Sequence, residues 1–204
     1  MNLQEEAMKY FIVGITLVMC LIFPLHVFAG APIEAVKGHV DKVLDVLRDP
    51  SLKAESAKKA KKDKIREISE KMFDFTELSK RTLGKNWSKF NPAQQKEFVE
   101  LYTSLLEDAY ADKVMAYTDE KIDFSKEVAL TEKTVEVQSK VLRKTGDIPI
   151  YYRVIMKEGS WRVYDVVIEG ISLISNYRSQ FNEILANKPP ESLLETLRKK
   201  VSNL

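Results

Sequence analysis

Apolar residues in the first half of the chain recur every three or four positions, which is the spacing of amphipathic helices. The first such stripe begins at Ile33, and the longest runs from Phe98 to Tyr110. The stripes predict four helices, over residues 32–49, 51–71, 74–83 and 92–116. Capping residues support two of the predicted helix starts. Asp74 stands three residues before Glu77, the spacing of a capping box, and Asn91 precedes a proline.

From Ile122 onward the apolar period changes to two, which indicates strands. Four strands are predicted, over residues 124–130, 134–143, 148–157 and 161–168. The connections between them are short, so the sheet is expected to be an antiparallel meander. Two helices are predicted to close the chain, over residues 171–187 and 191–202. The predicted fold class is therefore α+β, with an antiparallel four-stranded sheet packed against several helices.

The turns between the strands set the predicted register. If residues 144–147 form one loop and residues 158–159 the next, Ser139, Tyr152 and Asp165 lie in a row across the sheet. The other residues on that face are apolar: Val135, Val137, Val141, Ile150, Val154, Met156, Trp161, Val163 and Val167. The helical stripes at 98–110 and 171–185 are expected to oppose this face. The pattern does not distinguish a filled core from a hollow one.

Asp165 is the unusual member of this face, because a buried carboxylate without hydrogen-bond donors is very costly. One interpretation is a satisfied hydrogen-bonded row, with Arg178 or a backbone amide as the donor. The other is that Asp165 orients a ligand or a catalytic water.

The chain has 204 residues, of which 45% are hydrophobic, and this is enough for one domain with a sizeable core. An apolar run over residues 11–25 is followed by Val27-Phe28-Ala29. This arrangement predicts a signal peptide over residues 1–29, cleaved after Ala29, and a single mature domain over residues 30–204.

Two alternatives to a cleaved leader stay open. One is an uncleaved membrane anchor, although Pro24 and His26 interrupt the end of the apolar run. The other is a lipoprotein at Cys20, although Met19 stands where a small residue is expected. Two acidic residues near the start are unusual in a leader, and translation from Met8 would leave them out.

The chain offers little for catalysis. Cys20 is its only cysteine, so the mature chain has no thiol and no disulfide. His39 is the only histidine after the leader and is expected to be a surface residue. No phosphate-binding loop, dinucleotide fingerprint or nucleophile elbow is present. Paired carboxylates stay open, since one sequence cannot place them. We predict no catalytic residues, no cofactor and no metal site, and therefore no enzyme.

Charge is nearly balanced over the mature chain. Residues 30–204 carry 31 basic and 28 acidic residues, a net charge of +3, which is too even to indicate binding to nucleic acid. The densest charge is a run of five lysines at Lys58, Lys59, Lys61, Lys62 and Lys64. The run is either the solvated face of a helix or a docking patch for anionic lipid headgroups or an acidic partner. The salt dependence of docking would distinguish the two.

The stretch from Trp161 to Phe181 passes from a strand to a helix near Gly170 and contains the motif VYDVxIEGISLxxNYRxQF over residues 163–181. Upstream lie Phe73-Asp74-Phe75 and the segments LGKNW at residues 83–87 and QQKEF at residues 94–98. With these motifs the chain resembles the MlaC / toluene-tolerance Ttg2D family over about residues 33–201. Members of that family are periplasmic, phospholipid-binding auxiliary components of an ABC lipid-transport system.

The resemblance implies a periplasmic carrier that shuttles phospholipid between outer-membrane and inner-membrane complexes and maintains outer-membrane lipid asymmetry. It also implies an apolar cavity between a curved sheet and the flanking helices, with the acyl chains buried there and the headgroup in water. The implied partners are an inner-membrane ABC transporter complex with its membrane-anchored substrate-binding protein, and an outer-membrane lipoprotein. Two alternatives stay open: a structural or adaptor domain with a solid core that binds only protein, and a carrier of another lipid such as a hopanoid.

The facing argument selects the residues of the predicted lipid pocket. They are the sheet residues Val135, Val137, Val141, Ile150, Val154, Met156 and Val163, and the helix residues Phe75, Leu101, Leu105, Ile174, Tyr177 and Phe181. Tyr152, Asp165 and Arg178 are expected at the cavity mouth or at a hinge.

Overall fold

The computed structural model of the protein describes residues 31–117 and 120–202. The predicted leader over residues 1–29 lies outside them. The helices are α1 (Pro32–Arg48), α2 (Lys58–Met72), α3 (Phe75–Leu83), α4 (Pro92–Met115), α5 (Leu173–Leu185) and α6 (Pro190–Ser202). The strands are β1 (Lys121–Thr131), β2 (Thr134–Leu142), β3 (Ile148–Lys157), β4 (Ser160–Ile168) and β5 (Ile171–Ser172). None of the described helices combines the length and hydropathy that crossing a membrane requires.

The α+β class and the antiparallel meander are confirmed, and the described strands lie side by side in the order β1-β2-β3-β4-β5. The sheet has five strands rather than the predicted four. The added strand, β5, falls where the first turn of a helix was expected. Ser172 explains the difference, because its hydroxyl accepts a hydrogen bond from the Ser175 amide and starts α5 at Leu173, two residues later than predicted. Ile171 and Ser172 therefore stay extended and pair with Ile168 and Val167.

The helix starts depend on local hydrogen bonds. α2 begins at Lys58 rather than at residue 51, because two short 3-10 turns, Pro50–Leu52 and Glu55–Ala57, precede it. Asp74 caps α3 by accepting from the Glu77 amide at 2.9 Å, but the reciprocal half of the expected capping box is missing. The Asp74 amide instead donates to the Val163 carbonyl at 2.8 Å. Asn91 and its partner Gln94 form the complete box at the start of α4.

The predicted register between β2 and β3 is wrong by two residues. Val141 pairs with Ile148, and Ser139 pairs with Ile150 rather than with Tyr152. The turn explains the shift, since the Gly146 amide bonds to the Arg143 carbonyl and the loop begins earlier than expected. A shift of two residues keeps every side chain on its face of the sheet.

A β-bulge overturns the second half of the predicted register. β3 and β4 pair as expected from Met156 and Trp161 to Val154 and Val163, but Asp165 then lies opposite Arg153 rather than Tyr152. One extra residue in a strand moves all later side chains to the other face. The predicted polar row of Ser139, Tyr152 and Asp165 therefore does not exist, and Val166 takes the place opposite Tyr152 that was expected for Asp165.

Two apolar clusters form the core. The sheet cluster has the buried members Val36, Val40, Leu44, Met72, Val137, Tyr152, Val154, Val163, Val166 and Leu173. The helix cluster has the buried members Leu78, Leu83, Phe90, Phe98, Tyr102, Leu105, Leu106, Tyr164, Ile174, Phe181, Leu185, Leu193, Leu194 and Leu197. α1 supplies most of the helical side chains on the apolar sheet face, whereas α5 contributes only Leu173 to it and α4 only the partly buried Tyr110. The expectation that the stripes of α4 and α5 oppose this face is therefore wrong for most of their length. Those two helices bury their stripes against each other, with Phe98 and Phe181 in edge contact at 5.6 Å.

Candidate functional site

The predicted sheet residues of the lipid pocket lie in or beside the sheet cluster. Val137, Val154 and Val163 are covered almost completely, with at most 1% of each residue exposed. Val135 and Ile150 pack against the cluster from its edge. Val141 and Met156 are half-buried outside it. These three central valines are closed off from the surface, and α1 is the main helix among the elements that cover them.

The predicted helix residues of the lipid pocket lie elsewhere, in or beside the helix cluster. Leu105, Ile174 and Phe181 are buried members, and Leu101 and Tyr177 pack against them. Phe75 is half-buried, and its ring stacks on that of Phe73 with the centroids 5.3 Å apart. The structure therefore divides the predicted pocket into two halves in two clusters. As a lipid-binding set these residues stay a prediction.

Phe73 and Tyr110 connect the two clusters, because each packs against both. Phe73 is fixed by a parallel bridge between its backbone and that of Val163 in β4. Tyr110 lies on α4, and burial raises the pKa of its hydroxyl. The Lys113 ammonium sits 5.0 Å from the centre of the Tyr110 ring. We call Phe73 and Tyr110 the cluster boundary; both side chains are only partly buried, so it reaches the surface.

The sequence argument left the boundary out of the predicted pocket. Both residues nevertheless stood out in the sequence, because Tyr110 belongs to the apolar stripe of α4 and Phe73 belongs to a family motif. The α1 residues Val36, Val40 and Leu44 were also recognised as a stripe but were not assigned to the site. What was missing in each case was the partner of the stripe, which sequence periodicity does not specify.

Asp165 and Arg178 line the same cleft, which has a volume of ≈ 210 Å³ and is also lined by Arg81 and Arg153. Tyr152 does not take part, because the bulge leaves it in the sheet cluster beside Phe124, where burial raises its pKa to about 12. One wall of the cleft is held in place by a cation–π contact, in which the Arg81 guanidinium stacks on the Tyr164 ring at 4.1 Å from its centre.

The buried Asp165 carboxylate has three donors. Its Oδ2 accepts from Arg153 Nη1 at 3.1 Å and from the Ser172 hydroxyl at 2.7 Å, and its Oδ1 accepts from the Ile174 amide at 3.1 Å. A backbone amide was one of the two expected donors. The other is Arg153 rather than Arg178, which donates instead to the Arg81 carbonyl at 2.6 Å. The network joins β3, β4 and the start of α5, so Asp165 holds helix to sheet.

Nothing in this arrangement resembles a metal centre. In residues 31–117 and 120–202, no grouping of three or more His, Asp or Glu side chains has the geometry to hold a metal ion. A second cleft, of ≈ 330 Å³, lies between Lys85 and Asn182 and is lined mainly by polar side chains.

His39 lies on α1 and is half-buried rather than a surface residue. Its Nδ1 is buried and has no hydrogen-bond partner within the described chain. Burial lowers the pKa of the imidazole, and the neighbouring cations Lys42, Arg162 and Lys71 lower it further. The native fold therefore prefers the neutral ring.

This preference predicts a pH dependence of stability. Because the unfolded chain binds the proton more readily, stability should fall as the pH drops through the unfolded-state pKa of about 6.5, and the loss should level off below the lowered native pKa. Urea unfolding at pH ~7.5 and pH ~5 measures the effect. His39→Gln should remove this part of the loss while the carboxylate contributions remain. An equal loss in both proteins would show that His39 does not contribute.

The family model for the MlaC protein matches residues 37–199 of the chain. The chain is a member of the MlaC family. The MlaC match includes every buried member of the two clusters except Val36, together with the boundary and the arginine-lined cleft.

Individual relatives of the MlaC family extend this picture. The toluene tolerance protein Ttg2D of Pseudomonas putida is 27% identical over 172 residues, which are 83% of this chain and 80% of that protein. The intermembrane phospholipid transport system binding protein MlaC of Haemophilus influenzae is 24% identical over 127 residues, 60% of this chain and 59% of that one. Among solved structures, the phospholipid-binding protein of Ralstonia solanacearum, in complex with a phospholipid, has the same fold. The TM-score is 0.74 at 24% identity, over 85% of this chain and 98% of that chain.

Proposed function

We propose that this protein is a periplasmic phospholipid-binding carrier without enzymatic activity, formed by a single domain over residues 30–204 after cleavage of its leader. Membership of the MlaC family supports the proposal. Two comparisons support it as well. One relative is the binding protein of an intermembrane phospholipid transport system, and one solved structure of the same fold is a complex with a phospholipid. The structural observation that carries it is the pair of apolar clusters in one domain, joined at the partly exposed boundary of Phe73 and Tyr110.

The physical requirement for such a carrier is a large apolar surface that can open. Each methylene moved from hydrocarbon into water costs about 0.8 kcal/mol, so two acyl chains of membrane length represent more than ~20 kcal/mol. The two clusters supply apolar side chains on both sides of the boundary. Acyl chains that enter there replace protein contacts with lipid contacts, and the apolar area exposed to water stays nearly constant.

The element best placed to open is α1. Two of its polar ties to the rest of the fold are exposed: the Ile33 amide donates to Glu127 Oε1 at 2.7 Å, and Arg48 Nη2 donates to the Tyr117 hydroxyl at 2.9 Å. A third, from Lys61 Nζ to the Leu47 carbonyl, is half-buried but long, at 3.4 Å. Water can replace such bonds at little cost. The apolar stripe of α1 is then the main contact that a lipid must replace, and the predicted sheet residues become the floor of the pocket.

The partners follow from the family. We propose handover between an outer-membrane lipoprotein complex and an inner-membrane ABC transporter with its membrane-anchored substrate-binding protein. A ligand held by apolar contacts is nearly neutral in free energy against a bilayer, so handover needs no covalent step.

Organic extraction of the purified protein, followed by mass spectrometry, tests the proposal. We expect glycerophospholipid in stoichiometric amount, retained through gel filtration because the acyl chains cannot return to water cheaply. A hopanoid in the extract would support the role of lipid carrier but identify a different ligand. An extract without lipid, and no uptake from vesicles, would leave an adaptor domain with a solid core, the alternative that the close packing around Val137 and Val154 favours.

A further inference from the structure

The five lysines of the first two turns of α2 have no role in the proposed lipid pocket. All except the half-buried Lys61 are exposed. Lys58 contacts Glu55 at 3.3 Å, and Lys64 lies 4.0 Å from Asp49. Within the described chain, neither Lys59 nor Lys62 has a carboxylate within ion-pair distance.

This cluster accounts for the charge of the mature protein. Residues 49–64 contain six lysines and three acids, a net charge of +3. Residues 30–204 as a whole also carry +3, from 31 basic and 28 acidic residues. The remaining mature chain is therefore neutral, and the excess positive charge sits at one place on the molecule.

The cluster is not explained by the stability of its own helix. Cations near a helix N-terminus oppose the macrodipole, and carboxylates are preferred there. α2 has no acidic residue in its first turn, and Ala57 at its N-cap supplies no side-chain hydrogen bond. The helix is held by its apolar edge at Ile65, Ile68 and Met72, so the lysines cost local stability.

We propose that the lysine cluster docks the protein onto a bilayer surface that carries anionic phospholipid. A protein partner is less suited, because protein interfaces are depleted in lysine and depend on aromatic and arginine anchors. The segment from Ser51 to Met72 contains no aromatic residue and a single arginine, Arg66. Lysines are compact, flexible point charges, which match a mobile layer of headgroups without a fixed geometry. The apolar edge of α2 is used within the fold, so contact is electrostatic and without insertion.

The docking itself does not depend on lipid carriage. In the proposed function it would have a use, because α2 packs on α1, the helix that covers the sheet cluster. A protein docked through α2 would present its movable cover to the surface that supplies or receives lipid.

Co-sedimentation with vesicles tests the proposal. Wild-type protein should bind vesicles of phosphatidylcholine with roughly 30% phosphatidylglycerol at about 0.05 M salt, and should release at about 0.3 M salt. The triple variant Lys58→Gln, Lys59→Gln, Lys62→Gln should lose about 100-fold in partitioning. The control is Lys188→Gln, Lys199→Gln, Lys200→Gln, three exposed lysines at α6 with the same change in charge.

The outcomes separate cleanly. A loss confined to the α2 variant supports docking through the cluster. An equal loss in both variants, or unchanged binding by the α2 variant, overturns it and leaves an acidic protein partner or a solvated face. The α2 variant should melt no lower than wild type, because glutamine is a good helix former and the unfavourable dipole contact is removed. Its extracted lipid should match that of wild type, so failure here is distinct from failure of the carrier.

Discussion

Replacing Asp165 with alanine is expected to lower the free energy of unfolding by about 2–6 kcal/mol, because it removes the acceptor of two buried donors, and each buried donor left unsatisfied costs about 1–3 kcal/mol. Arg153 keeps a charged partner, since its Nε also donates to Glu136 Oε2 at 3.1 Å. Only 1% of Asp165 is exposed, and its carboxylate accepts from Arg153, Ser172 and the Ile174 amide. Alanine would leave the hydroxyl and the amide as buried donors without an acceptor. Denaturant unfolding followed by circular dichroism measures the change.

The matched control is Asp123→Ala on β1, an exposed carboxylate whose loss should change stability by less than about 0.5 kcal/mol. Asp165→Asn keeps one acceptor oxygen, so its loss of unfolding free energy should lie between those of Asp165→Ala and Asp123→Ala. If Asp165→Ala costs no more than the control, the network does not hold α5 to the sheet. A large loss would also make Asp165 a structural residue, which removes the need for a ligand-orienting role.

Tyr110→Arg is expected to reduce the lipid that co-purifies with the protein to less than about a tenth of the wild-type amount. Tyr110 packs against both clusters, so acyl chains that enter at the boundary must pass its side chain. A guanidinium there must be desolvated whenever lipid binds, and a penalty of only about 1.4 kcal/mol already gives a tenfold loss. Quantitative mass spectrometry of the extracted lipid measures the effect.

Ala109→Arg is the control, because it places the same charge on the neighbouring exposed position of α4. Arginine is a good helix former, so neither change should break the helix. Wild-type lipid content in the Tyr110 variant would exclude the boundary as the entry route. Val154→Trp is a weaker test, since Val154 is fully covered and a larger side chain there would overpack the core whether or not lipid binds.

Most elements of the fold were predictable because each is marked by local signals. The cap of α4 at Asn91 and the change of period at Ile122 were both readable from the residues alone. The sheet register was not, because it depended on a turn closed by Gly146 and on a bulge after Val163. Such features arise from the fit of two strands, and no periodicity within either strand reports them.

The sequence predicted the apolar character of the candidate site but not which of its residues pack together. The predicted pocket residues are apolar and mostly covered, but they belong to two clusters, since α1 supplies most of the cover of the apolar sheet face while the stripes of α4 and α5 lie mainly in the helix cluster. Asp165 was correctly identified as needing donors. Its main charged donor, Arg153, was missed because the bulge turns both residues onto the same face.

The sequence by itself determined the family, the α+β class, the order of the helices and of the first four strands, and the lysine cluster, because periodicity, capping residues and motifs are properties of neighbouring positions. Only the tertiary structure decided which amphipathic helix covers the apolar sheet face, and where the two clusters meet. Several stripes of similar hydrophobicity compete for the same face, and the choice between them depends on shape and connection, which become defined only when the whole chain packs.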